Sequence, residues 1–163
     1  MRVIMADQIA LRFKQLGTAK PDWVVGIPDG ATELGKEVAR ALDAKSAEMK
    51  KEEGKMVLVS SIGADETLLL IEDFCTQGTG FKEAVRDIFS KQSQVKILPV
   101  EMVVIIKEIV VDSVSTFKIV PVAEHRVQDW KPEDCPLCQA LSKPIKPKAT
   151  DENWRLITIS QLR

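Results

Sequence analysis

Residues 68–81 read Leu68-Leu69-Leu70-Ile71-Glu72-Asp73-Phe74-Cys75-Thr76-Gln77-Gly78-Thr79-Gly80-Phe81. Four apolar residues in a row suit a strand buried on both faces, as in a parallel sheet covered by helices. Two carboxylates follow at once, where such a strand ends. Side by side they repel, so the site calls for compensation by a metal ion or by hydroxyl donors from a sugar. Thr76, Gln77, Gly78, Thr79 and Gly80 then lead into a helix whose apolar stripe is Phe81, Val85, Ile88 and Phe89. Small residues at a helix N-terminus leave backbone N–H groups open to an anion, and two threonine hydroxyls add donors. Acids for ribose hydroxyls beside a cradle for phosphate describe a ribose 5-phosphate site. The plainer alternative is an ordinary strand-to-helix turn capped by Thr79. A P-loop is excluded, because no Gly-x-x-x-x-Gly-Lys-Ser/Thr occurs. The dinucleotide fingerprint fits poorly, because its third glycine is missing and the acids precede the glycines.

Outward from this segment, strands and helices alternate. Met5, Ile9, Phe13 and Leu16 recur at helical spacing before Gly17. Trp23 to Ile27 reads as a short buried strand, ended by Pro28-Asp29-Gly30. Leu34, Val38, Ala41 and Leu42 mark a second helix. Lys45 to Lys55 is polar and lysine-rich, with a turn at Glu52-Glu53-Gly54, and Met56 to Ser60 is strand-like. Val100 to Ile106 and Phe117 to Val122 are further strands. The expected fold is therefore α/β, a largely parallel sheet flanked by helices. One domain over 1–163 is expected, with a short N-terminal helix in 1–20 and an irregular tail over 129–163 that packs through Trp154, Leu156 and Ile159. Ligands of such sheets bind beyond the carboxyl ends of the strands, and two loops qualify, Pro28 to Ala31 and Glu72 to Gly80.

Composition narrows the classes of function. The hydrophobic fraction is 45% and the charged fraction 29%, as in ordinary globular proteins. Lys and Arg number 23 against 24 Asp and Glu, so there is no basic excess to bind a nucleic-acid backbone. The longest apolar run, Met102 to Ile106, is far short of a membrane span. Asp7, Arg12 and Lys14 interrupt any signal-peptide core. Three cysteines in 163 residues do not make a disulfide framework, which points to a reducing, cytoplasmic location.

The segment from Leu68 to Phe81 resembles the phosphoribosyl pyrophosphate signature of type I phosphoribosyltransferases. In that resemblance Glu72 and Asp73 hold the ribose hydroxyls and Thr76, Gln77, Gly78, Thr79 and Gly80 form the 5-phosphate loop. Gln77 stands where threonine is common, and Gly80 where serine or threonine is common. Val24 to Ala31 resembles the loop that contacts the diphosphate through backbone N–H groups, here Pro28, Asp29 and Gly30. Asp29 beside a diphosphate requires a bridging Mg²⁺. Ala47 to Met56 resembles the mobile loop of orotate-type members, which brings a lysine to the leaving diphosphate. The lysine that often follows the glutamate is replaced by Met49, so the candidates are Lys50 and Lys51. A solvated charged hairpin is the competing reading of that span. Asp129 to Cys138, Ser142 to Lys148 and Asn153-Trp154 resemble the C-terminal end of bacterial orotate phosphoribosyltransferase-like proteins.

The resemblance implies transfer of ribose 5-phosphate from phosphoribosyl pyrophosphate to a nucleobase, orotate first, by a homodimer that uses Mg²⁺. The ion is held mainly through the substrate, with Glu72 and Asp73 as the protein oxygens open to it. Catalysis falls to Lys50 or Lys51 and Asp73. Two alternatives stay open: a non-catalytic phosphoribosyl pyrophosphate-binding or regulatory protein of the same fold, and a purine phosphoribosyltransferase. The first is favoured by Met49, Asp29 and the short stretch before the first core strand. The arginine that grips the orotate carboxylate in the family has no counterpart, since Lys107-Glu108 follows the strand and the next arginine is Arg126. Cys135-Pro136-Leu137-Cys138 invites a zinc reading, but four good ligands are wanted and only Cys75 and His125 remain. Two buried thiols in an ordered tail are expected instead, with no direct zinc ligands.

Overall fold

The computed structural model describes residues 2–76, 78–106, 113–114, 117–125, 128, 130–131, 133–142, 145–146 and 149–160. Two compact units result, 1–127 and 128–163. In the first, helix α1 (Arg2–Gln15) precedes strand β1 (Trp23–Gly26), helix α2 (Thr32–Ala41), and strand β2 (Lys45–Ser46). Strands β3 (Met49–Glu52) and β4 (Lys55–Leu58) follow, then β5 (Thr67–Cys75), helix α3 (Thr79–Lys91), and strands β6 (Lys96–Ile106), β7 (Ser113–Val114) and β8 (Phe117–Glu124). The main sheet has the order β2-β1-β5-β6-β8-β7. Its first five strands are parallel, and β7 pairs antiparallel at the edge.

The sheet buries both faces. Val24, Leu69, Ile71, Met102 and Val120 pack with Ala6, Ile9 and Phe13 of α1 and Leu34 and Val38 of α2. Val25, Leu68, Leu70, Val103 and Ile119 pack on the other side with Phe81, Ala84 and Ile88 of α3. Alternate residues of one apolar run thus serve two cores, which is why β5 shows no polar alternation until Glu72. Asp22 and Thr67 clasp the amino ends of β1 and β5. The Thr67 N–H and hydroxyl donate to Asp22 Oδ2 at 2.8 and 2.9 Å, and the Asp22 N–H donates to Thr67 Oγ1 at 3.1 Å. These donors hold the Asp22 carboxyl below its ordinary range.

Two local features have clear physical reasons. Residues 49–58 form a hairpin, β3 antiparallel to β4 with its turn at Glu53-Gly54, in keeping with the hairpin reading of that span. Met49, Met56 and Leu58 are its anchors, at most 6% exposed, and the Met56 N–H donates to Asp87 of α3 at 2.9 Å. In the second unit, where irregular chain is expected, residues 136–139 form a short helix α4 and Asp151–Ser160 a helix α5. Thr150 Oγ1 accepts the Asn153 N–H at 3.1 Å, and Asp151 and Glu152 place negative charge in the first turn of α5.

The carboxyl end of β1 depends on a close backbone approach. A Cβ on Gly35 of α2 would lie 2.3 Å from the Gly26 nitrogen and 2.7 Å from its Cα. Replacing a helical glycine by alanine ordinarily favours the helix by up to about 1 kcal/mol. Here the expected sign is opposite. Gly35→Ala should destabilise the fold by about 1–3 kcal/mol, the cost of overpacking against backbone that cannot move aside, read as a lowered urea midpoint at unchanged slope.

Candidate functional site

The site lies at the carboxyl ends of β1 and β5. The Ile27 N–H donates to the Ile71 carbonyl at 2.8 Å, one step beyond the last β1–β5 pair, Gly26 with Ile71. This bond carries the turn after β1 to the place where β5 reaches its acids. The turn closes through Ala31 N–H to Ile27 O at 3.1 Å and continues into α2. The Pro28–Asp29 peptide is cis. Gly30 lies so close to β5 that a Cβ there would fall 1.9 Å from Asp73 Oδ2. The two loops singled out in the sequence are therefore one surface.

Glu72 and Asp73 are not in a loop, as expected, but in the last turns of strand β5, which runs on to Cys75. Because a strand alternates its side chains, the neighbours have opposite surroundings. Asp73 is exposed, with Oδ1 accepting its own Phe74 N–H at 2.9 Å. Glu72 is half-buried and turns inward on the α3 side. Its Oε1 faces Gly80, where a Cβ would meet it at 2.8 Å, and its Oε2 is sealed from solvent. Helix α3 begins at Thr79, and Gly78, not Thr79, is its N-cap, in the left-handed region at φ 67°. Glycine adopts that conformation without penalty. The first-turn N–H groups of α3 have no acceptors within the helix and face outward from its start. Thr76 and Thr79 are exposed and Gly80 is half-buried. Gln77 lies outside the described residues, as do Lys107, Glu108 and Arg126.

Glu101, in the middle of β6, has no counterpart in the sequence reading. It is fully buried, and a carboxyl oxygen of Glu101, one of Glu72 and the Cys75 sulfur lie within 4.8 Å of one another. Burial raises the pKa of all three groups, so each holds its proton more tightly. The Glu101 carboxyl is pushed up to about 10, first by burial and then by Glu72. Glu72 is raised by burial, with Asp73 adding, while Glu101 and Cys75 work against the rise. The Cys75 thiol is pushed up to about 12 by burial and by both carboxyls. The available signal was one glutamate inside the apolar run Leu98 to Ile106, which periodicity alone assigns to the core.

The hairpin borders a second part of the site. A cleft of about 370 Å³ is lined by Pro28, Asp29, Thr32 and Lys36 on one side and by Glu48 to Glu52 on the other. Lys50 and Lys51 thus both border the cleft beside the turn after β1, and Lys50 pairs with Glu48 at 3.2 Å. Lys36, bonded to Glu33 at 2.6 Å, also lines this cleft, a placement that its position in an amphipathic helix does not announce. Met49 is 2% exposed, so the position after Glu48 belongs to the core and offers no cation. No described helix is long and apolar enough to cross a membrane.

No protein-family model matches the chain. It is 32% identical over 146 residues to an orotate phosphoribosyltransferase of Thermoanaerobacter sp. strain X514, spanning 88% of this chain and 73% of that protein. The fold is similar to the crystal structure of orotate phosphoribosyltransferase from Aeropyrum pernix, with a TM-score of 0.54 at 15% identity over 73% of this chain and 68% of that one. It is also similar to adenine phosphoribosyltransferase from Saccharomyces cerevisiae, with a TM-score of 0.58 at 16% identity, covering 72% and 76% of the two chains.

The three thiols differ sharply. Cys75 is 1% exposed, whereas Cys138 is exposed and Cys135 half-exposed, against the expectation of two buried tail thiols. Backbone N–H groups of Cys138 and Leu137, with the Cys138 thiol, hold the Cys135 pKa below its ordinary value, and Cys135 in turn pushes that of Cys138 up. A colourimetric thiol titration of the reduced native protein should therefore count two fast thiols, the third reacting only on unfolding.

Proposed function

The chain belongs to the orotate phosphoribosyltransferase family, and from that premise we propose that it transfers the 5-phosphoribosyl group of phosphoribosyl pyrophosphate to orotate. The observation that carries the reading is the meeting of Asp73 with Gly30. It joins an acid suited to ribose hydroxyls, a backbone turn suited to diphosphate and, one strand residue away, Glu72 beside the start of α3. In the reaction a bond forms between a ring nitrogen of the base and C1 of the ribose. The bond from C1 to the diphosphate oxygen breaks, its electron pair leaves with the diphosphate, and the nitrogen's proton passes to solvent.

Positive charge grows on the ribose and negative charge on the diphosphate. Asp73 and the outward oxygen of Glu72 accept hydrogen bonds from the ribose hydroxyls. Thr76 and Gln77 to Gly80 take the 5-phosphate, whose binding energy holds C1 in place. Backbone N–H groups of Pro28-Asp29-Gly30 residues after the proline meet the diphosphate, and Lys50 or Lys51 stabilises its growing charge from the hairpin across the cleft. Asp29, on the turn that lines this cleft, suits a hard cation that prefers oxygen. Mg²⁺ bound there and to the substrate would neutralise diphosphate charge; Glu72 is assigned to the ribose and not to the ion. The proposal extends to a cytoplasmic homodimer, with Ile4 and Leu11, 65% and 52% exposed on α1, as an apolar stripe for a second copy to cover.

Diphosphate release from phosphoribosyl pyrophosphate and Mg²⁺, measured with orotate, uracil and purine bases in parallel, tests the reading. Orotate should give the highest kcat/KM. Lys50→Ala or Lys51→Ala should cut turnover by about 10²–10³ with a much smaller change in substrate affinity, because the contact strengthens as charge develops. Release with a purine and none with orotate would replace the base, and tight binding without release from any base would sink the transfer reading.

Asp73→Asn should weaken binding of phosphoribosyl pyrophosphate by roughly tenfold or more, the loss of charge-assisted hydrogen bonds. The apo protein should keep its melting temperature within a few degrees, since Asp73 is exposed. Calorimetric titration and thermal melting check the two halves. A variant that fails to fold would assign Asp73 to structure instead.

A further inference from the structure

Glu101 is a carboxylic acid in the middle of a sheet, with no water-facing surface and no cation beside it among the described residues. It pairs in register with Leu70 on β5 and Ile119 on β8, so it points to the face covered by α3. The side chains there from α3 and β8, such as Phe81, Ala84 and Ile119, are apolar. Asp87 of α3 is engaged with the Met56 N–H and with Arg86. The titratable groups that meet Glu101 are Glu72 and Cys75, both on β5. Neither Glu101 oxygen has a donor from elsewhere, and neither does Glu72 Oε2.

Two ionised carboxylates cannot share an apolar pocket without a counter-charge. A proton held between them removes the conflict and satisfies an orphaned oxygen on each. Glu101 is the deeper of the two, and Glu72 has its second oxygen turned toward Gly80 and the start of α3. We infer that Glu101 is a positioning residue: it stays protonated and donates a hydrogen bond to Glu72 Oε2, which locks the Glu72 carboxylate with Oε1 presented to the ligand. The inference rests on the assignment of Glu72 to the ribose in the proposed function. It adds that the aim of this acid is set from the neighbouring strand, by a residue that never touches substrate.

The division of labour is specific. Glu72 Oε2 accepts the hydrogen bond from Glu101, and Oε1 stays free as an acceptor for the ligand. Without the donor, Oε2 is buried and unpaired, and Glu72 either turns to reach another partner or takes up a proton itself. Either event removes an acceptor from the ribose site. Glutamine at 101 can still donate through its amide N–H, whereas methionine, of similar length, cannot.

The sign of the pH dependence follows. The ordinary glutamate value is 4.5 and burial lifts that of Glu101 to about 10. Between these values the folded chain keeps a proton that the unfolded chain has lost, so this group's contribution to stability is present below the lower value and declines as pH rises toward the upper one.

The test compares wild type, Glu101→Gln and Glu101→Met by three measurements. Infrared spectra of the apo protein near neutral pH should show a protonated-carboxyl C=O band that Glu101→Gln loses. Thermal stability of wild type should fall from pH 5 toward pH 10 relative to Glu101→Gln. Glu101→Met should bind phosphoribosyl pyrophosphate about tenfold or more weakly, and Glu101→Gln should recover most of that affinity. Methionine fills the pocket, so Glu101→Met should remain folded. Should it not, the infrared band and the Glu101→Gln comparison still decide. Absence of the band overturns the inference, as does Glu101→Met binding as tightly as wild type. Stoichiometric metal in the purified protein, lost in Cys75→Ser and Glu101→Gln, overturns it as well, since a cation would then hold the two carboxyls. If wild type shows the band and its pH dependence but binds no phosphoribosyl pyrophosphate, the proton is upheld, and the proposed function and the positioning role built on it both fail.

Discussion

Backbone meets backbone where Gly35 of α2 rests on Gly26 at the end of β1, and the site depends on that contact. A side chain on Gly26 would fall 1.8 Å from the Ala31 carbonyl oxygen, and one on Gly35 would enter the Gly26 backbone. With neither present, α2 starts directly over the strand end and the turn 27–31 is drawn tight. The same compaction brings Gly30 against Asp73. Contacts of this kind tolerate no added methyl group, because both partners belong to elements fixed by their own hydrogen bonds. A helix one or two ångströms higher would part the turn from the acids.

Around that frame the energetics divide by depth. Asp73, on the outward face of β5, is exposed to solvent. Glu72 and Glu101, on the inward face, lose hydration, and in an apolar surrounding the cost of charge exceeds what carboxylates can return to each other. Two acids adjacent in the chain thus become a solvated group and a proton-sharing group, as strand alternation requires. Pairs of acids driven apart in this way are a recurrent means of giving two carboxyls separate tasks.

The hairpin β3–β4 shows how a polar segment can be ordered from below. Its lysines line the cleft, while Met49, Met56 and Leu58 are sunk in the core beneath the sheet face that carries α3. Strand alternation sets Lys50 on the face opposite the buried Met49. It also explains why a methionine stands directly after Glu48: that position points inward, and a lysine there would be buried without a partner.

Local chemistry in the sequence was enough for the strand of residues 68–71, the glycine-rich start of α3, the turn at Pro28-Asp29-Gly30 and the alternating α/β order. Those features rest on apolar runs and on residues whose backbone preferences act over a few positions. The cap of α5 at Thr150 is legible in the same way, from a threonine followed by two acids. Tertiary structure alone decided that Glu101 meets Glu72, that Met49 is core and that Lys36 borders the cleft. Each of these depends on which strand lies beside which and on the register between them. Register is set by packing across the whole sheet, and a shift of one residue would send Glu101 to the opposite face.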